Sequence, residues 1–218
     1  MEYVSKTQSF QNPIVWIDCE MTGLDPSIDE LVEISVVVTD HNLEPLDEGI
    51  DYLIRPSKRA VDNMNSFVRR MHTNSGLINE WNDGISCKEA EKHVLSYIKK
   101  YVPDAKKAHL GGNSIGTDRI FLSTYMPSII DYLHYRIIDV STIKELAKRW
   151  YQRAYIHAPE KTGNHRALGD IYDSIDELRY YRSVLFPSNA DDITSEQCKT
   201  AAHDATGATL TKAKEQKK

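Results

Sequence analysis

Hydrophobic positions along this chain follow a strand-like rhythm at first and a helical one later. Val15 to Cys19, Leu31 to Asp40 and Gly49 to Ile54 read as strands, the second because "LVEISVVVTD" concentrates β-branched residues. The turn-rich "DHNLEP" is too short for a crossover, so strands two and three are expected to pair antiparallel. The spacing then shifts to threes and fours. Ser86 and Glu89 form a capping box ahead of Ala90, Val94, Leu95 and Ile98, and Pro103 closes that helix. A strand over His109 to Gly112, a helix over Ile115 to Tyr125, a strand over Arg136 to Val140 and a helix from Thr142 to about Arg153 follow. A long helix from about Arg166 to Leu185 places Leu168, Ile171, Ile175 and Leu178 on one face. Strand and helix alternate, so the pattern predicts an α/β fold, a mixed sheet with helices on both faces.

Composition limits the organisation. The chain has 218 residues, 40% of them hydrophobic, which suits one compact domain. Residues 188–218 hold no aromatic side chain and are expected to form a flexible tail, while 1–12 form a short extension and 13–187 the folded unit. The formal charge is -5, and the tail's five lysines balance its five acids, so the deficit belongs to the folded unit. That balance argues against a long basic groove and points to a short partner if the partner is a nucleic acid. Cys19, Cys87 and Cys198 are far apart and odd in number, as expected of a reducing intracellular compartment, cytoplasmic or mitochondrial. No apolar run approaches the ~20 residues of a membrane span.

Three acidic motifs carry the candidate chemistry. Asp18 and Glu20 form a D-x-E at the end of the first strand, where residues two apart share a face and can share a hard cation. A solvated strand end is the plainer reading, but the preceding "IVWI" marks a buried central strand where unpaired acids are costly. Asp118 stands in the first turns of a helix entered from "GGNS", as a metal ligand or as an acid favoured by the helix dipole. His165 and Asp170 are five residues apart, about 140° on a helix, so they can face one site only if His165 precedes the helix. Gly163 and Asn164 are suited to that start.

The order D-x-E, Asp after Gly-Asn-Ser, then H-x-x-x-x-D resembles the DEDDh class of 3′ to 5′ exonucleases, which have an RNase H-like fold. The segments "WIDCEMTGLDP", "GGNSIGTDRIFLSTYMP", "HYRIIDVSTIKELAKRW" and "DELRYYRSVLF" are similar to the oligoribonuclease family over about Pro13 to Phe186. This resemblance implies a mixed five-stranded sheet flanked by helices. It also implies two Mg²⁺ or Mn²⁺ ions held by Asp18, Glu20, Asp118 and Asp170, with His165 taking the proton of the attacking water. The implied substrate is single-stranded RNA of two to five nucleotides, dinucleotides above all, and the products are 5′-nucleoside monophosphates. Leu24 would wedge between the bases. Phe67 falls where the family has a stacking Trp, offering a smaller ring with no N–H. Ser114, Tyr135, Arg136 and Ser141 would cap the 5′ phosphate across a homodimer interface. Without the resemblance, Tyr135 and Arg136 read as a strand-edge pair and Ser141 as a helix N-cap.

Two other functions fit the same residues: a general DEDDh exonuclease acting on longer RNA or DNA, and a non-catalytic RNA-binding protein that kept the fold. Four acids and a histidine in place count against the second.

Overall fold

The computed structural model describes residues 12–161, 166–187 and 193–205. β1 (Ile14–Met21), β2 (Leu31–Thr39) and β3 (Ile50–Leu53) come first. Three short helices follow, α1 (Lys58–Asn63), α2 (Ser66–Asn74) and α3 (Leu77–Glu80), with a 3₁₀ turn at Trp81–Asp83. Then come α4 (Cys87–Tyr101), β4 (His109–Gly112), α5 (Gly116–Tyr125), α6 (Pro127–Tyr132), β5 (Ile137–Asp139), α7 (Val140–Trp150) and α8 (Gln152–Ile156). The long α9 (Ala167–Leu185) and the fully exposed α10 (Ser195–Ala205) end the described chain. The five strands form one sheet in the order β3-β2-β1-β4-β5. β2 is antiparallel to β1 and to β3, while β4 is parallel to β1 and to β5, so the sheet is mixed as expected.

Alternation along β1 decides which side of the sheet does what. Val15, Ile17 and Cys19 face a core built with Val94 and Ile98 of α4 and Phe121 and Leu122 of α5. Ile14 and Trp16 face the other side, where Ile171, Ile175 and Tyr181 of α9 and Ala147 of α7 pack. Asp18 and Glu20 continue that second face, so the same period that buries Trp16 aims both acids at α9. Trp16 satisfies its indole N–H on Thr39 Oγ1 at 2.9 Å. Gly111 of β4 lies beneath Trp16, and a Cβ there would press on that ring and on Ile14.

Several boundaries differ from the sequence expectation. The chain between β3 and α4 shows no clear period, yet α1 to α3 form there and bury Met64, Val68, Leu77 and Trp81 against Val32. In α4, Ser86 caps as expected by accepting the Glu89 N–H at 3.2 Å, but Tyr97 is buried where Leu95 is only half-buried. The Tyr97 hydroxyl explains its place, since it donates to Asp47 at 2.6 Å. The expected helix from Thr142 to Arg153 begins earlier and is broken. Asp139, not Ser141, is its N-cap, accepting the Ser141 N–H at 2.9 Å, and Tyr151 at φ -135° separates α7 from α8. Tyr135 and Arg136 precede β5 and are not a pair on it. Arg166 caps α9, and Gly163, Asn164 and His165 lie outside the described residues.

Candidate active site

Asp18, Glu20 and Asp170 meet at the end of β1. Each offers one carboxylate oxygen, and the three oxygens lie within 4.8 Å of one another. Asp170 reaches them from the first turn of α9, where the helix N-terminus favours an acid. Asp118 stands beside this trio on the first turn of α5, buried, with Oδ1 accepting the Cys19 N–H at 3.0 Å. It therefore grips the strand midway between Asp18 and Glu20.

The electrostatics follow from crowding acids in a poorly solvated place. Burial pushes the Asp18 carboxyl well above its usual range, and Asp118, Asp170, Glu20 and Glu33 push in the same direction. Glu20 is pushed up to about 8, by burial first and then by Glu33, Asp170 and Asp118, with Arg166 opposing. Burial also raises Asp118, to about 7, against the hydrogen bonds it accepts from its own amide and that of Cys19. Carboxylates that repel one another at this range are relieved by a hard divalent cation, and an all-oxygen donor set is what such cations prefer. The residues present fit that group.

Sequence reasoning missed the groups that hold this cluster. Glu33 pairs in register with Glu20 across β1 and β2 and is 1% exposed. Its carboxylate accepts the Ala167 N–H at 2.9 Å and Arg166 Nε at 2.8 Å, clipping the start of α9 to the sheet. Arg166 Nη1 also reaches Glu80 Oε2 at 3.1 Å. His72, fully buried on α2, donates from Nε2 to the Met21 carbonyl at 2.8 Å, and its Nδ1 stands 3.9 Å from Glu20 Oε2. Glu33 was findable, because an acid inside "LVEISVVV" must be paired if that strand is buried. Nothing around His72 in the sequence marks it.

The residues expected to hold substrate fall into four places. Leu24, 77% exposed, caps the turn after β1. Asp29 builds that turn by accepting the Thr22 hydroxyl at 3.1 Å and the Asp25 N–H at 3.0 Å, and a Cβ on Gly23 would collide with its carboxylate. Phe67, 65% exposed, opens α2, where Asn65 Oδ1 accepts both the Phe67 and Val68 N–H groups at 3.0 Å. Ser114 and Ser141 are brought together, with the Ser114 N–H donating to Ser141 Oγ at 2.9 Å and to Asp139 Oδ1 at 3.0 Å. Ser114 holds a left-handed φ of 52°, a strained choice for a serine. Tyr135 is exposed and pairs with its neighbours, its ring tilted against His134 at 4.5 Å between centroids and beneath the Arg136 guanidinium at 5.4 Å. His165 lies outside the described residues.

Comparison with known proteins agrees with this geometry. The RNase_T exonuclease family model matches residues 15–178. An oligoribonuclease from Leifsonia xyli subsp. xyli is 55% identical over 189 residues, 87% of this chain and 91% of that protein. One from Streptomyces coelicolor is 53% identical over 191 residues, 87% of this chain and 96% of its own length. Among solved structures, E. coli exonuclease I in complex with a dT13 oligonucleotide superposes with TM-score 0.62 at 14% identity over 79% of this chain. This chain spans only 41% of that larger protein, and the likeness is one of fold.

Proposed function

The chain belongs to the oligoribonuclease family, and from that premise we propose that it is a 3′ to 5′ exoribonuclease whose substrates are RNAs of two to five nucleotides, dinucleotides above all. The observation that carries the reading is the convergence of Asp18, Glu20 and Asp170, three oxygens within 4.8 Å of one another on a buried strand end. With Asp118, these acids would hold two divalent ions, Mg²⁺ or Mn²⁺. When bound, such ions supply Lewis-acid stabilisation to the attacking and leaving oxygens of phosphoryl transfer.

The protein's own groups have separable tasks in this reading. Glu33 and His72 fix the acids, the first by clipping α9 to β2 and the second by bonding the backbone just past Glu20. His165 is suited as general base, since histidine is the side chain that most readily takes and releases a proton close to neutral pH. Leu24 and Phe67, both largely exposed, offer apolar faces for bases to stack on. The Ser114 and Ser141 pair offers a hydroxyl, and Arg136 a guanidinium, for a 5′ phosphate. A capped 5′ end limits chain length, and a charge of -5 suits a substrate with few phosphates to neutralise.

We place Tyr135 and Arg136 opposite the Ser114 and Ser141 pair of a second copy, in a homodimer. Apolar side chains exposed on α7, α8 and the end of α9, including Trp150, Ile156 and Val184, favour such an assembly. No helix among the described residues is long and apolar enough to cross a membrane. The bacterial relatives favour the cytoplasm as the compartment, in preference to a mitochondrion.

Product analysis tests the reading. A 5′-phosphorylated diribonucleotide incubated with the protein and magnesium is expected to yield only 5′-nucleoside monophosphates, and EDTA is expected to stop the reaction. Nucleoside 3′-phosphates, or cleavage that survives EDTA, would contradict it.

A further inference from the structure

Asn113, where β4 hands over to α5, is tied to α9 on one side and to the serine pair on the other. Its Nδ2 donates to Ser174 Oγ at 2.9 Å and to Glu177 Oε2 at 3.0 Å. Its Oδ1 accepts the Ser141 hydroxyl at 3.0 Å. Two constraints forbid the flipped amide. The Ser174 hydroxyl proton already goes to the Asp170 carbonyl at 2.8 Å, which leaves its oxygen as an acceptor for Asn113. Glu177, 2% exposed, pairs with Lys144 Nζ at 3.0 Å and Lys161 Nζ at 3.8 Å, and a carboxylate so paired only accepts. A flipped Asn113 would turn its carbonyl toward both acceptors, so α9 sets the orientation of the amide.

The consequence passes to the serines. A hydroxyl has one proton, and that of Ser141 is committed to Asn113. Its oxygen therefore faces Ser114 as an acceptor, taking the Ser114 N–H at 2.9 Å and lying 3.1 Å from Ser114 Oγ. Distance alone leaves the direction of the second contact open, but the proton count makes Ser114 the donor. Ser114 is exposed, so its hydroxyl is the proton of the pair that an arriving anion can take over.

We infer that Asn113, oriented by Glu177 and Ser174, is a positioning residue of the 5′-phosphate subsite, holding Ser141 as an acceptor so that Ser114 presents its hydroxyl proton to the terminal phosphate. This rests on the reading of Ser114 and Ser141 as the cap on short RNA. Because Ser174 also bonds the Asp170 carbonyl, one helix sets both an acid of the cleavage site and the donor at the 5′ end.

The test compares kcat/KM for 5′-phosphorylated and 5′-hydroxyl diribonucleotides, with magnesium, on the full chain. Proteins compared are the wild type, Asn113→Ala, Ser141→Ala and the double variant. Asn113→Ala is expected to lower the phosphate preference about tenfold, the worth of one hydrogen bond to a charged group. The double variant should fall no further than Ser141→Ala alone, because Asn113 acts through Ser141. An undiminished preference in Asn113→Ala, an equal loss on both substrates, or additive effects would overturn the inference. Glu177→Ala removes an acceptor that orients the Asn113 amide and is a second variant should Asn113→Ala fail to fold. A selective fall in the phosphate preference toward that of Ser141→Ala supports the inference, and a preference within about twofold of wild type overturns it. A wild-type protein indifferent to the 5′ phosphate would instead sink the capping reading itself, whatever the variants do.

Discussion

The acids of the cleavage site behave as a charged cluster before they behave as ligands. Glu20, raised to about 8, and Asp118, raised to about 7, hold protons in the metal-free protein at pH values where free carboxylates have lost them. A folded value above the unfolded one stabilises the fold most below the unfolded value, near 4.5 for Glu20, and that contribution disappears as pH climbs to about 8. The metal-free protein should therefore lose thermal stability across this window. Cation binding needs the deprotonated acids, so magnesium should raise Tm more at pH 8 than at pH 6. Melting curves with EDTA and with magnesium at both pH values check this, and equal shifts would contradict it. Asp18→Asn should lower kcat by at least about 10²-fold, as removal of a preorganised charged group does elsewhere. Steady-state rates on a dinucleotide measure that loss.

Single elements are positioned by contacts that hydropathy does not encode. Glu33 is a buried acid that joins β2 to the start of α9, so Glu33→Ala should destabilise the protein by on the order of 3 kcal/mol by urea unfolding. Glu33→Gln should cost less, since its amide oxygen still accepts the Ala167 N–H. β1, β2, α4 and α9 were legible because each shows its own apolar pattern, as in "LVEISVVVTD" or the Ile171 and Ile175 steps. The short helices α1 to α3 were not, because they bury one or two residues each against Val32 and have no stripe to show. The break at Tyr151 has no proline or glycine to announce it. For the site, Asp18 and Glu20 share a face as the D-x-E spacing predicted, while their meeting with Asp170 was implied by the family resemblance and not by spacing. The roles of Glu33, His72 and Asn113 depend on partners more than fifty residues away, which no local window contains.

At the scale of the whole molecule, Trp150, Tyr151 and Val184 are exposed and line one apolar face between α7, α8 and α9. A homodimer through that face predicts twice the chain mass by sedimentation at about 10 μM, and Trp150→Glu should shift the population toward monomer. Dimer loss should also weaken binding of the 5′ phosphate if Tyr135 and Arg136 come from the second copy. The central claim is that cleavage and 5′ capping together select very short RNA, and its most direct test is rate against length. Hydrolysis of 5′-phosphorylated RNA from two to about ten nucleotides, with magnesium and at one protein concentration, should be fastest for the dinucleotide and fall at least about tenfold by five nucleotides. A flat or rising profile would contradict the account and leave a general exonuclease in its place.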